Sequence, residues 1–274
     1  MKSGEQTALT WEEAVLWLRS QPDQAALVKA CFFDDPLPEA ADRYYASSEW
    51  QAVRALIGRA RGRALDVGSG RGIAAVALSR DGWETTALEP DPSEIVGAGA
   101  IRSLVREARL RIDIIETPAE ALPFPDASFD LVHVRQALHH ARDLRRFCAE
   151  ISRVLKPGAR LIATREHVLS RPGDLDDFLE THALHRLYGG EFAYVLDDYR
   201  KAITDAGIAL TKVLNPWESD INLYPETRAT IKEAYARRLR LPILRALPDI
   251  FLSWRGKFLR IPGRLYTFVG IKRH

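Results

Sequence analysis

The sequence is short of cysteine, of a leader-like start and of long apolar runs, and each shortage excludes a class of protein. Cys31 and Cys148 are its only cysteines, too few for a disulfide framework or a cysteine-built zinc site. Both sit in helical, apolar patterns and read as small buried side chains. Residues 1–10 lack a basic region followed by an apolar run, and no segment approaches the roughly 18 apolar residues of a membrane span. The expected location is therefore cytoplasmic. No internal repeat or low-complexity tract is visible, and 46% hydrophobic residues in a chain of 274 suffice for a substantial core. Two more absences concern ligands. There is no Gly-Lys-Ser/Thr to hold a triphosphate with its magnesium, and Ile73 stands where a dinucleotide fingerprint wants its third glycine.

What is present is organised around Arg63-Ala64-Leu65-Asp66-Val67-Gly68-Ser69-Gly70-Arg71-Gly72. Ala64 to Val67 reads as a buried strand, the glycines at alternate positions permit a tight turn with positive φ, and Ile73 to Leu78 reads as a packed helix. A strand, a glycine turn and a helix N-terminus with unpaired amides make a site for a nucleotide-like ligand. Asp66 is an acceptor suited to an ammonium group. Trp83 to Leu88 reads as a second strand ending at Glu89, whose carboxylate can take both hydroxyls of a ribose.

At this point the sequence resembles the class I S-adenosylmethionine-dependent methyltransferases. Asp66 to Gly72 is similar to their first motif, and Leu88-Glu89-Pro90-Asp91 to the acidic end of their second strand. Ala119-Glu120-Ala121-Leu122-Pro123-Phe124-Pro125-Asp126, Ser128-Phe129-Asp130-Leu131-Val132 and Arg153-Val154-Leu155-Lys156-Pro157-Gly158 resemble the branch containing the ubiquinone and menaquinone biosynthesis methyltransferases. The resemblance runs from about Arg61 to His167. It implies an α/β fold with a Rossmann-like seven-stranded sheet, S-adenosyl-L-methionine as cofactor, and methyl transfer to a small-molecule acceptor. It further implies that Asp66, Gly68, Ser69, Gly70, Glu89 and Pro90 contact the methionine and ribose parts, that Ala119 and Glu120 lie near the adenine, and that Arg135 touches the methionine end. Many relatives carry Asp where this chain has Pro118.

Around that centre the chain divides into an N-terminal helical cap, 1–60, and a methyltransferase domain, 61–274, with a helical insertion at about 215–263. A capping box of Thr10 and Glu13 starts a helix at Trp11, and further helices are expected over 23–33, 39–46 and 48–57. In the resembling family such a layer covers the cleft, which makes Tyr44 a substrate-side candidate; the alternative is a core aromatic. A helix from Pro92 to Ala108 and strands over 110–115, 129–134, 159–168, 208–214 and 264–272 complete the alternation. The fourth strand delivers Gln136, His139 and His140 to the carboxyl edge, where open α/β sheets hold ligands. A hydroxyl, thiol or protonated amine acceptor needs a base, and His139 and His140 are the candidates, with helix capping as their other reading. His167, Tyr188 and Glu191 are expected to line the acceptor pocket. Reading His167, His182, His185 and Glu191 as metal ligands is set aside, because sulfonium transfer needs no metal; the expectation is no metal.

Charge is uneven beneath a total of +2. From Glu226 to His274 there are 12 Lys and Arg against 3 acidic residues, 12 − 3 = +9, leaving 27 − 34 = −7 for the rest. Helices expected over 228–240 and 243–254 interleave Arg237, Arg238, Arg240, Arg245 and Arg255 with Leu239, Ile243, Ile250, Phe251 and Trp254. Such a pattern suits an anionic membrane surface; the alternative is a cap whose basic face pairs with the acidic body or a second subunit. Nucleic acid is not favoured, since no reading module or stacking platform is present. Three functions therefore stand beside one another: a small-molecule methyltransferase, a peripheral membrane methyltransferase acting on a lipophilic ring such as a quinone precursor, and a non-catalytic protein that binds the cofactor.

Overall fold

A computed structural model describes residues 9–188, 192–261 and 263–273. Four helices precede the first strand: α1 Trp11–Arg19, α2 Ala25–Ala30, α3 Leu37–Ala46 and α4 Ser48–Ile57. The capping box at Thr10 is formed, with the Glu13 amide donating to Thr10 Oγ1 (3.2 Å) and the Thr10 amide to Glu13 Oε2 (2.8 Å). The second helix is shorter than expected. Pro22–Gln24 is a separate 3₁₀ turn, and Phe32 takes φ +60°, outside the helical range.

The alternation that follows is β1 Arg63–Val67, α5 Ile73–Arg80, β2 Glu84–Leu88, α6 Ala98–Ala108, β3 Ile112–Ile115, β4 Phe129–Arg135, α7 Leu144–Val154 and β5 Leu155–Leu169. Helix α6 begins later than Pro92 because Ser93 forms a local turn. Its Oγ accepts from the Ile95 and Val96 amides, both at 3.0 Å, a pattern that competes with helix formation. The fifth strand is longer than 159–168, since Pro157-Gly158 is carried within it. Next come α8 Leu175–Thr181, α9 His185–Tyr188, the two-residue β6 Tyr194–Val195, α10 Leu196–Asp205, β7 Ile208–Leu214, α11 Asp220–Leu223, α12 Arg228–Leu239, α13 Asp249–Lys257 and β8 Arg264–Lys272. Helix α13 starts only at Asp249, because Pro248 would break a helix running through it.

Strand order is β3-β2-β1-β4-β5-β8-β7, with β6 paired to β5. Strands β1 to β5 are mutually parallel, while β8 runs antiparallel to both β5 and β7. The sheet thus has the expected seven strands along its path and a short eighth beside it. The period of two along β1 and β4 sets what each face carries. Leu65, Val67, Val132 and Val134 pack with Phe147 and Ile151 of α7 and Ile203 of α10. Ala64 and Leu131 pack on the other face with Trp50, Val53, Ala74 and Leu78. Asp66 and His133 share that second face, buried, with Asp66 Oδ1 2.7 Å from His133 Nδ1.

The chain turns from β1 toward β2 on one side and toward β4 on the other, which leaves a crevice at the carboxyl ends of β1 and β4. The N-terminal helices close over it.

Candidate active site

A cavity of about 400 Å³ occupies that crevice. Asp66, Gly68, Ser69 and Gly70 form its floor, Glu89 and Pro90 one side, and Ala119 and Glu120 the outer rim. Gln136, His139, His140, His167 and Tyr188 complete the far wall. Most residues singled out in the sequence therefore meet in one place, because β1, β2 and β4 all end there.

Four details depart from expectation. The loop amides are not unpaired: Gly68 and Ser69 donate to the Leu88 carbonyl (2.9 and 3.1 Å), Gly70 to Glu89 Oε2 (2.7 Å) and Gly72 to the Ser69 carbonyl (2.8 Å). Few donors remain for a pyrophosphate. The Ser69 hydroxyl also turns inward, donating to the Asp66 carbonyl at 2.9 Å. Tyr44 does not line the cavity; it is fully buried between Phe32 and Trp50, where its ring seats the helical layer on the sheet. Arg135 borders the cavity, but its guanidinium is held by Glu49, Nε to Oε1 at 2.6 Å and Nη2 to Oε2 at 3.0 Å. Glu191 lies outside the described residues.

The floor fits a ligand with an ammonium and a diol. Asp66 is buried, and its Oδ2 has no hydrogen-bond partner among the described residues, so one carboxylate oxygen remains for a donor from the cavity. Glu89 is fixed by the Gly70 amide and, at 3.1 Å, by the Asp91 amide. Burial pushes its pKa up to about 7 despite those two amides. Gly68 is required: at φ +67°, a Cβ there would stand 2.5 Å from Ala137 Cβ.

The far wall is imidazole-rich. His139 and His140 lie on the 3₁₀ turn after β4, His167 on β5, His182 at the end of α8 and His185 at the start of α9. His139 Nδ1 is 2.8 Å from Glu166 Oε2, and the Ala137 and His139 amides donate to the same carboxylate, each at 3.1 Å. Burial pushes Glu166 up to about 7 against those amides. His167 donates from Nδ1 to the Gly263 carbonyl (2.9 Å) and is held well below its usual pKa, by burial first and then by neighbouring histidines. Cys31 also borders the cavity, its thiol pushed up by burial.

Three supporting residues hold the site in roles that the sequence does not announce. Glu49 had a signal, since it shares a helix face with Val53 and Ile57 at i, i+4 and i+8, an acid among core positions. Arg71, buried beside the glycines, donates to the carbonyls of Ile95 (3.0 Å), Phe32 (3.0 Å) and Asp34 (2.8 Å) and pairs with Asp35. It straps the N-terminal layer to the ligand loop. Glu166, which the sequence places with Arg165 and His167 at the binding edge, fixes the turn that bears His139.

The parallel sheet with its antiparallel β8, and the ligand crevice at the β1–β4 divide, define the class I methyltransferase architecture. Residues 65–163 match the family described as "Methyltransferase domain". The chain is 33% identical over 129 residues to "Uncharacterized methyltransferase YcgJ" of Bacillus subtilis, covering 44% of this chain and 47% of that protein. It is 32% identical over 158 residues to the ubiquinone/menaquinone biosynthesis C-methyltransferase UbiE of Methylobacterium nodulans, covering 54% and 62%. The chain thus spans less than two thirds of either relative. Among solved structures, the geranyl diphosphate C-methyltransferase of Streptomyces coelicolor superposes with a TM-score of 0.59 at 16% identity, over 96% of this chain and 97% of that one; this likeness is one of fold.

Proposed function

We propose that the chain is an S-adenosylmethionine-dependent methyltransferase acting on a small molecule. The observation that carries this reading is one cavity joining Asp66, with its unpartnered buried oxygen, and Glu89 to a wall of imidazoles. Bound S-adenosylmethionine supplies an electrophilic methyl group on a sulfonium, so the protein has mainly to position and to exclude water. Asp66 takes the ammonium and Glu89 the ribose hydroxyls, while Pro90, Ala119 and Glu120 flank the adenine. Gly68 and Gly70 let the backbone come close. Gln136, His140, His167 and Tyr188 face the acceptor. His139, with Glu166 on Nδ1, is set to accept a proton at Nε2, and the Glu166 carboxylate favours the imidazolium that results.

Calorimetric titration with S-adenosylmethionine beside NADH, followed by turnover assays over acceptor panels, tests this. Micromolar S-adenosylmethionine binding that weakens at least tenfold in Asp66→Ala and Glu89→Ala is expected. Binding of NADH alone would refute it, and binding without turnover on any acceptor would favour the non-catalytic alternative.

A second reading concerns where the acceptor is met. Ile243, Ile250, Phe251, Trp254, Phe258 and Ile261 are more than half exposed on the insertion. Arg238, Arg240, Lys257 and Arg260 beside them make no ion pair among the described residues. This amphipathic surface supports contact with an anionic membrane and an acceptor such as a lipophilic ring. No helix among the described residues is long and apolar enough to cross a membrane, and the reading is of contact with the bilayer from one side. Sedimentation with phosphatidylglycerol vesicles, lost in Ile243→Asp/Trp254→Asp, is expected; equal sedimentation of that variant would remove this reading.

A further inference from the structure

Five of the seven histidines converge on one wall of the cavity from separate elements. Ring centroids lie 4.8 Å apart for His139 and His167, 5.8 Å for His167 and His185, and 5.9 Å for His139 and His185. All three are buried, and one ligand nitrogen from each falls within 4.8 Å of the others. We propose that His139, His167 and His185 hold a divalent first-row transition metal ion.

Three observations carry this beyond proximity. The first is orientation. Glu166 Oε2 lies 2.8 Å from His139 Nδ1, and the Gly263 carbonyl accepts from His167 Nδ1, so in each ring Nε2 is the nitrogen that would serve as ligand. A carboxylate or carbonyl on the far nitrogen is what fixes the tautomer and ring of a metal-bound histidine. The second is chemistry. An all-imidazole set suits zinc, cobalt, nickel, copper or iron and is a poor match for magnesium or calcium, which take oxygen. The third is economy of packing. Imidazoles gathered beside Phe178 carry polar nitrogens that aliphatic side chains would avoid in a mere core. Metal–nitrogen bonds of about 2.0–2.1 Å in a tetrahedral arrangement put the nitrogens about 3.3 Å apart, so the set closes by side-chain shifts on the order of 1 Å.

His140 packs 4.2 Å from His139, and His182 stacks at 3.8 Å on His185, so both flank the set; with the ion bound, His139 Nε2 is a ligand and the proton-accepting role falls to His140. Three neutral ligands leave the ion its double charge and open positions toward the cavity. An anionic oxygen of the methyl acceptor would complete the coordination; that clause rests on the methyltransferase reading, whereas the ion itself does not.

The test uses the full chain without an affinity tag, stripped with chelator and titrated with Co²⁺. One equivalent is expected to give the visible absorption of a low-coordinate nitrogen site, and Zn²⁺ should displace it. His167→Ala and His185→Ala should each weaken Co²⁺ binding at least tenfold, and Glu166→Gln between tenfold and a hundredfold. S-adenosylhomocysteine affinity, measured on the same samples, reports folding and the cofactor site separately. Should the variants not fold, X-ray absorption of the Co²⁺-loaded native chain decides: three imidazoles uphold the site and fewer than two overturn it. Absence of stoichiometric binding, or binding indifferent to both histidine variants, also overturns it.

Discussion

Glu49→Gln is the substitution whose consequence can be worked out most fully. Glu49 is wholly buried, bonded twice to Arg135 and 4.0 Å from Arg165 Nε. Burial pushes this carboxyl up, but Arg135 and Arg165 outweigh it and hold it below the usual carboxylate range. Arg165 has other acceptors in the carbonyls of Ile221 (2.7 Å) and Tyr224 (3.2 Å); among the described residues Arg135 has, besides Glu49, only the Gln136 amide oxygen at 3.1 Å. Neutralising Glu49 therefore leaves a buried guanidinium without its counter-charge, a change that costs about 3–5 kcal/mol. In a chain of this size, that is a fall in Tm of roughly 5–9 °C. Urea unfolding followed by circular dichroism measures it. The same pairing sets an acid limit. A carboxyl whose folded pKa lies below its unfolded value stabilises the fold above the unfolded pKa, and that contribution is lost as pH falls through the folded one. The wild type should unfold in acid more steeply than Glu49→Leu/Arg135→Leu, in which the charges are removed together. A loss below about 1 kcal/mol in Glu49→Gln, with weakened S-adenosylmethionine binding instead, would refute the argument and return Arg135 to the ligand.

Glu89 titrates near 7, so S-adenosylmethionine affinity should fall as pH drops from 8 to 6, by up to tenfold per unit below the pKa, and Glu89→Gln should flatten the profile in calorimetry. Because that pKa is raised on folding, the ligand-free chain should lose the Glu89 contribution to stability as pH rises from about 4.5 to 7, a slope that chemical denaturation at several pH values can read. Gly68→Ala places a methyl against Ala137 in the left-handed region and should cost about 1–3 kcal/mol together with most of the ligand affinity. Arg71→Ala should loosen residues 9–35 while sparing the sheet, seen as faster hydrogen exchange confined to that segment.

How much was legible follows from how local each signal is. Strands β1, β2, β4, β7 and β8 sit within a residue or two of their expected spans, since a short apolar run bounded by turn residues fixes them without reference to the rest of the chain. The starts of α6 and α13 were misjudged because Ser93 and Pro248 act through hydrogen bonding and ring geometry rather than hydrophobic period. At the site, Asp66 and Glu89 could be read because each is an acid at the end of a strand, Asp66 just before the glycines and Glu89 directly after β2. Arg135 could not be read fully: its partner, Glu49, is 86 positions away in sequence, and no local pattern announces such a pairing. The histidine wall was visible only in fragments for the same reason. His139, His167 and His185 belong to different elements, and only the folded sheet brings them within reach.

Strands β7 and β8 are neighbours, paired from Ile208 with Lys272 to Leu214 with Thr267, and the whole of 215–263 is strung between them. The first part is woven into the body, through the Ile221 carbonyl on Arg165, Asn222 Oδ1 on the Thr267 hydroxyl (2.7 Å) and Tyr224 stacked on Phe32. Beyond it, α12 and α13 form a cassette that starts and finishes on the same rim. Closing a loop of different length there costs little entropy, about 0.6 kcal/mol for each doubling. The cassette is thus where a segment of other length or charge can be grafted while the crevice at the ends of β1, β2 and β4 keeps its shape, provided Gly263, whose carbonyl holds His167, stays in place. Exposed insertion and crevice are built from different stretches of the chain, joined at the contact between Gly263 and His167.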